Sequence, residues 1–238
     1  MNPDFSVRSS RKELLDETHI PKQDLFRNLF ELNVINRLLG GHAVTLKGMQ
    51  KLELSKQQTY RLLDIGCGGG DTLRAIANWG RKNGYHFLLT GVDLKSDCIE
   101  YATEFCKGYP EINFVLSDYR DLPELQQEFD IIITSLFCHH LNNKQLAELF
   151  SWCNANAKLG FIMNDLHRHP LAYYSIAWLT AIFSKSYLVK NDAKLSVLRG
   201  FKRADLLSIL NQLPNHSRLI TLNWAWAFRW LLIFKHHA

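Results

Sequence analysis

Asp64-Ile65-Gly66-Cys67-Gly68-Gly69-Gly70-Asp71 sets a glycine run between two acids, the arrangement in this chain most suggestive of chemistry. Glycines after an apolar run let a backbone wrap closely around a nucleotide-like ligand. A P-loop needs Lys-Ser or Lys-Thr after its glycines, and neither follows here. The dinucleotide fingerprint places its last glycine where Asp71 stands. A carboxylate at a helix mouth repels a pyrophosphate and accepts hydrogen bonds from an ammonium. With Asp64 as a second acid, the turn suits a ligand with cationic groups and no phosphates; a dehydrogenase would have to bind its dinucleotide against Asp71.

Two further acids follow in order. Asp93 ends TGVDL, the position from which open α/β sheets hold a ribose by its hydroxyls. Asp118, in LSDY, is placed to accept from an adenine amino group while Leu94 and Tyr119 bracket the ring. Any one such acid can simply cap the next helix. Three at successive strand ends converge on one cleft.

The elements around these residues read as α/β. The segments YRLLDI, HFLLTGVDL, INFVLSD, FDIIITSLF and GFIMNDL are near-continuous apolar strands. Amphipathic helices DTLRAIANWGRKNG, SDCIEYATEFCKG and NKQLAELFSWCNANAK lie between them, the pattern of a parallel sheet covered on both faces. After the helix KRADLLSILNQL, the runs SRLITLNWAWA and RWLLIFKHH are too close for a helical crossover and should pair antiparallel. Residues 11–39 read as one or two helices stopped by Gly40-Gly41. The aromatic-rich segment at about 167–200 is longer than a plain connection and reads as a lid over the strand ends.

The segments LLDIGCGGGDTL, GVDL, LSDY and FDIIITSLFCHHL, in that order, resemble the class I S-adenosylmethionine-dependent methyltransferases over about residues 60–166. The resemblance implies a Rossmann-like, seven-stranded, mostly parallel sheet with an antiparallel terminal hairpin and helices on both faces. It implies a helical cap over 1–50 and the methyltransferase domain over 51–238. S-adenosyl-L-methionine is the implied cofactor and S-adenosyl-L-homocysteine the product. By resemblance Gly66, Cys67 and Gly68 admit the methionine part, with Asp64 near its ammonium; Asp93 holds the ribose and Asp118 the adenine N6. Ser135 and Leu136 floor the pocket, and Arg37 reaches the cofactor carboxylate.

Methylases of base amino groups carry an Asn- or Asp-Pro-Pro-aromatic motif after strand four; here the chain reads TSLFCHH, with no proline. The HHL segment resembles that of enzymes acting on quinones, phenols and other small molecules. A small apolar or aromatic acceptor, methylated at oxygen or carbon, is therefore expected. Phenolic oxygen, with a pKa near ~10, benefits from a base, and His139, His140 and His167 are the candidates. Adjacent residues on an extended chain point opposite ways, so only one of His139 and His140 should face the cleft. Arg168 is expected to position an anionic acceptor, and Tyr173, Tyr174 and Trp178 to line the lid.

Bulk properties set the outer limits. Of 238 residues 47% are hydrophobic and 21% charged, with a net charge of +5, ordinary for a globular chain. Lys and Arg are scattered apart from Arg199, Lys202 and Arg203, so no nucleic-acid partner is expected; RNA or protein methylation, or cofactor binding without turnover, are the alternatives. The five cysteines form no CxxC pair, no acidic or histidine spacing demands a metal, and a reducing cytoplasm is expected. LAYYSIAWLTAIF, residues 171–183, falls short of the ~20 residues of a bilayer span. With Lys185 and Lys190 nearby, it allows transient contact with a membrane surface.

Overall fold

The computed structural model describes residues 3–125, 128–213 and 219–236. Among these, the apolar runs form strands β1 (Thr59–Ile65), β2 (His86–Asp93), β3 (Ile112–Leu116), β4 (Phe129–Ser135), β5 (Ala157–Leu166), β6 (Leu219–Ala225) and β7 (Arg229–Lys235). They join in one sheet, in the order β3-β2-β1-β4-β5-β7-β6. β1 to β5 are parallel, and β7 runs antiparallel between β5 and β6. The terminal hairpin expected from the short connection thus forms, with its second strand inside the sheet.

Alternation along each strand divides the core between two faces. Leu63, Ile65, Ile132 and Phe161 enter one apolar cluster, and their neighbours Leu62, Ile131, Ile133 and Ile162 enter the other. The central strands β4, β5 and β7 are buried almost throughout, whereas edge strand β6 keeps much of its length exposed. The covering helices are α1 (Lys22–Leu38), α2 (Gly41–Gln50), α3 (Asp71–Asn83), α4 (Ser96–Phe105), α5 (Asn143–Asn156), α6 (Pro170–Phe183), α7 (Tyr187–Arg199) and α8 (Arg203–Leu210). Strand order reverses between β1 and β4, which opens a crevice at their C-terminal ends.

Two local outcomes differ from the expectation, the restart of the chain as α2 and the segment before α1. Gly40 takes a left-handed turn at φ +74, after which the chain restarts as α2. A Cβ on Gly41 would lie 2.5 Å from Asn36 Oδ1 and 2.7 Å from an Arg229 nitrogen, so this pair both stops α1 and makes a tight corner into α2. The segment before α1 is not helical from residue 11: only a 3-10 turn, Leu14–Asp16, interrupts it. Its polar backbone finds partners elsewhere, with Leu14 N and Leu15 N donating to Asp192 on α7 at 2.8 and 2.9 Å. The segment at 167–200 forms two helices, α6 and α7, packed on each other. Among the described residues no helix is long and apolar enough to cross a membrane.

Candidate active site

The crevice holds a cavity of about 870 Å³, lined by the glycine turn, the ends of β2 and β4, and α1. Gly66, Cys67, Gly68, Asp71, Asp93, Leu94, Ser135 and Leu136 all lie on its wall. Gly66 has φ +72, and a Cβ there would meet the Phe137 ring at 2.2 Å, so glycine is required on both counts. Asp93 ties the turn down: its Oδ2 accepts from Gly68 N at 2.9 Å and its Oδ1 from Lys95 N at 3.0 Å.

The electrostatics of this cavity are negative. Asp64 is buried beneath the turn, 1% exposed, and its Oδ1 has no hydrogen-bond partner. Burial, then the neighbouring charges of Asp71 and Asp93, push its carboxyl well above the usual range. Burial likewise raises Asp93, against the backbone N–H groups it accepts from. Asp71 is held below the usual range in spite of burial, because His42 at 2.8 Å and Asn36 Nδ2 at 3.1 Å bind it. Asn36 in turn accepts from Arg229 at 2.8 Å, and burial lowers that guanidinium to about 10. An unpartnered buried carboxyl oxygen beside two further acids suits a ligand bearing positive charge better than a phosphate.

A second cavity of about 280 Å³ adjoins the first, and Leu15, Leu32, Leu136 and His140 line both. Its wall is mostly apolar, with Ile35 from α1 and Leu39 just after it, Ile176 and Leu179 from α6, and Val189 and Val197 from α7. Leu136, at the junction, has φ +55, an uncommon conformation for a side-chain-bearing residue and one that gathers at functional sites.

Among the polar side chains that face this space, beside Asn28, Asp192 and Arg229, is the cluster Glu13, His139 and His140. Both histidines line it because residues Cys138–His140 form a 3-10 turn, whereas the alternation rule assumed an extended chain. Their rings lie 4.3 Å apart. The Nδ1–H of His139 donates to Asp165 Oδ1 at 2.8 Å, and the Nδ1–H of His140 to Asp16 Oδ1 at 2.9 Å. Both carboxyls are held below the usual range despite burial, through these histidine contacts. Each Nε2 is left turned toward Glu13, at 3.6 Å from Oε1 for His139 and 3.8 Å from Oε2 for His140. Burial pushes the Glu13 carboxyl up to about 7, opposed by His140, by the Ser196 hydroxyl that donates to it and by Arg199.

The remaining expected site residues lie elsewhere. Arg37 is exposed and lines neither cavity; its neighbour Asn36 does. Asp118 and Tyr119 are also off both walls: Asp118 Oδ1 accepts from Arg120 N and Nε at 2.9 and 3.0 Å, and Tyr119 packs on Phe137. His167 is displaced toward the terminal hairpin, where its Nδ1 accepts from Trp224 Nε1 at 3.2 Å. Arg168 does not meet an acceptor, because its buried guanidinium donates to the carbonyls of Phe5, Ser6 and Gly200 and pairs with Asp205 at 2.9 Å. Tyr173, Tyr174 and Trp178 are not on the wall either, since α6 turns its smaller face inward with Ala172, Ser175 and Ile176. Trp178 and Tyr174 point to solvent, 63% and 57% exposed, and Tyr173 packs edge-on against Phe5.

Glu13, Asp16, Asn36, His42 and Asp192 went unread in the sequence. Glu13 and Asp16 sit in a polar stretch whose composition matches any solvated terminus, and only long-range hydrogen bonds bring it here. Asp165 was legible as the end of a strand, but its partner His139 was not.

Residues 62–160 match the family described as "Methyltransferase domain". The mitochondrial ubiquinone biosynthesis O-methyltransferase of Saccharomyces cerevisiae is 26% identical over 140 residues, 58% of this chain and 42% of that protein. The ubiquinone biosynthesis O-methyltransferase of Coxiella burnetii is 29% identical over 127 residues, 52% of this chain and 51% of its own length. The chain therefore spans about half the length of these curated relatives. Among solved structures, the plantazolicin methyltransferase BpumL in complex with SAH superposes with a TM-score of 0.64 at 15% identity, covering 91% of this chain and 95% of that one. Magnesium protoporphyrin IX methyltransferase (ChlM) from Synechocystis PCC 6803 with bound SAH gives 0.56 at 16%, covering 84% of each. At these identities the two structures speak to the fold alone.

Proposed function

We propose that this chain, whose class I S-adenosylmethionine-dependent methyltransferase domain carries both cavities, methylates a hydroxyl oxygen on a small apolar acceptor of phenol or hydroquinone type. The observation that carries the reading is the junction of the two cavities at Leu136 and His140. The larger has the acids for a cationic adenosyl ligand, with Asp71 and Asp93 on the wall and Asp64 beneath. S-adenosylmethionine supplies an electrophilic methyl group on a sulfonium when bound.

The protein's own part is to place and ionise the acceptor. A dry cavity of about 150 Å³ takes benzene, so 280 Å³ accommodates one substituted ring. Leu32, Ile176 and Leu179 hold the ring by burial of apolar surface. The acceptor hydroxyl is then left against Glu13, His139 and His140, where its proton is removed. Alignment at the junction supplies a large share of the acceleration, and exclusion of water keeps the oxygen nucleophilic. The O-methyltransferase names of the relatives favour oxygen over carbon as the acceptor atom.

Transfer from labelled S-adenosylmethionine to a panel of phenols, catechols and hydroquinones tests this. We expect product with at least one single-ring acceptor, and His140→Asn to lower kcat by ~100-fold or more while affinity for the cofactor holds. Failure of every small acceptor, or an unaffected His140→Asn enzyme, overturns the reading.

A further inference from the structure

We propose that Glu13, His139 and His140 form a binding site for one divalent cation of the zinc class, on the wall of the smaller cavity and open toward it. The inference deepens the reading above and rests on the acceptor oxygen lying at this cluster.

The donor set is two imidazoles and one carboxylate, the composition of catalytic zinc sites that keep a position free for water or substrate. Bonds of ~2.0–2.2 Å at tetrahedral angles separate neighbouring donor atoms by ~3.3–3.6 Å. His139 Nε2 lies 3.6 Å from Glu13 Oε1 and His140 Nε2 3.8 Å from Glu13 Oε2, one histidine to each carboxylate oxygen, and one donor atom from each residue lies within 4.8 Å of the others. Closing the set around an ion calls for inward rotation of these side chains.

What lies behind the donors is a second and independent observation. Both rings give their Nδ1–H to a carboxylate, Asp165 for His139 and Asp16 for His140, which directs the Nε2 lone pair of each at the same point. Metal-bound histidines almost always have such an outer partner, which fixes the tautomer and makes the ligating nitrogen more basic. Neither Nε2 makes a hydrogen bond among the described residues, although His139 is 4% exposed. Glu13 is oriented with equal care: Ser196 Oγ donates to its Oε1 at 2.9 Å, and Asp16 Oδ2 accepts from its backbone N at 3.0 Å. The Arg199 guanidinium lies 3.8 Å from Oε1, which leaves Oε2 the less encumbered oxygen.

The remaining face of the site opens on the apolar cavity, so the free coordination position falls to the acceptor. An acceptor hydroxyl that binds there gives its proton to the hydroxide it displaces from the cation, which leaves as water, and keeps the electron pair on oxygen as an anion held by the cation. The methyl transfer then forms the carbon–oxygen bond with that pair, as the sulfonium carbon–sulfur bond breaks toward sulfur. Glu13 comes from the segment before α1, so the ion also fastens that segment over the cavity.

The test loads metal-free full-length protein with zinc, then with cobalt as a spectroscopic probe, and measures retained metal after dialysis, isothermal titration and thermal unfolding. We expect one zinc per chain, a raised unfolding midpoint, and the visible bands of low-coordinate cobalt. Glu13→Gln and His140→Asn should each lose affinity by ~100-fold or more and Asp16→Asn by ~10–100-fold, while His86→Ala at an exposed site changes nothing. Circular dichroism of each metal-free variant checks that it has folded. Zinc that does not stay bound, or stays equally in Glu13→Gln and His140→Asn, overturns the proposal. Full methyl transfer after complete metal removal also overturns it and leaves the histidines as bases, with the function standing. One bound zinc lost in these variants, without transfer to any hydroxyl, supports the site and refutes the proposed function.

Discussion

Replacing Asp64 by asparagine should move stability and cofactor affinity in opposite directions. The side chain is 1% exposed and one of its oxygens has no partner, so its charge is disfavoured in the ligand-free protein. Burial first, and the charges of Asp71 and Asp93 next, raise its carboxyl well above the usual value. A native pKa above the unfolded one means that the folded state keeps a proton the unfolded state releases. The stabilisation is fully present below the ordinary carboxylate pKa of ~3.9. It is lost as pH rises toward the native value, with a slope of up to about 1.4 kcal/mol per pH unit. Asparagine has no proton to lose, so Asp64→Asn should gain on the parent protein as pH rises above the ordinary carboxylate pKa of ~3.9. Binding should respond the other way. Losing one charge-assisted contact costs ~1.5–3 kcal/mol, roughly 10- to 150-fold in the Kd for S-adenosylmethionine. Urea unfolding of ligand-free protein at acidic and neutral pH, with titration calorimetry at neutral pH, measures both. A variant less stable than the parent at neutral pH, or one that binds as tightly, would refute the idea that this buried acid is kept for a cationic ligand.

Gly66→Ala should destabilise by ~1–2 kcal/mol for a side chain in the left-handed region and by a further ~1–3 for pushing back the Phe137 ring; an unchanged urea midpoint would mean the turn is built otherwise. Ile176→Trp fills the smaller cavity from α6, so transfer to phenols should fall steeply while calorimetry shows cofactor affinity intact. Asp93→Ala removes the acceptor for Gly68 N and Lys95 N and should weaken cofactor binding by ~1–3 kcal/mol, read in the same titration. Burial, and then His169, lower the His167 imidazole to about 4, and its Nδ1 must be unprotonated to accept from Trp224. Its contribution to stability is therefore present above the ordinary histidine pKa of ~6.5 and lost as pH falls to about 4, and His167→Phe should flatten unfolding curves in that window.

The order of elements and the acids around the glycine turn were legible in the chain because both are written in local patterns. Continuous apolar runs announce buried parallel strands, and GCGGGD between a strand and a helix fixes a turn by backbone sterics and charge. Asp93 was found for the same reason, since the end of a strand in an open sheet is a known place. Asp118 sits at an equivalent strand end, yet its carboxylate turns to Arg120. Strand position alone says where a residue stands and not what its side chain will find nearer by.

The smaller cavity was decided by tertiary structure. Glu13 lies in a terminal segment with no periodicity, and Asp192 on α7 brings it to His139 and His140 by holding the two backbone N–H groups that follow it. Which face of α6 turns inward was equally closed to sequence: a helix apolar all round has no marked face, and the small residues Ala172 and Ser175 went in where Tyr174 and Trp178 had been expected. Hydrophobic patterning and turn chemistry act over a few residues, so they are read in one dimension. The pairing of a buried carboxylate with two histidines far along the chain exists only once the sheet has set their distance.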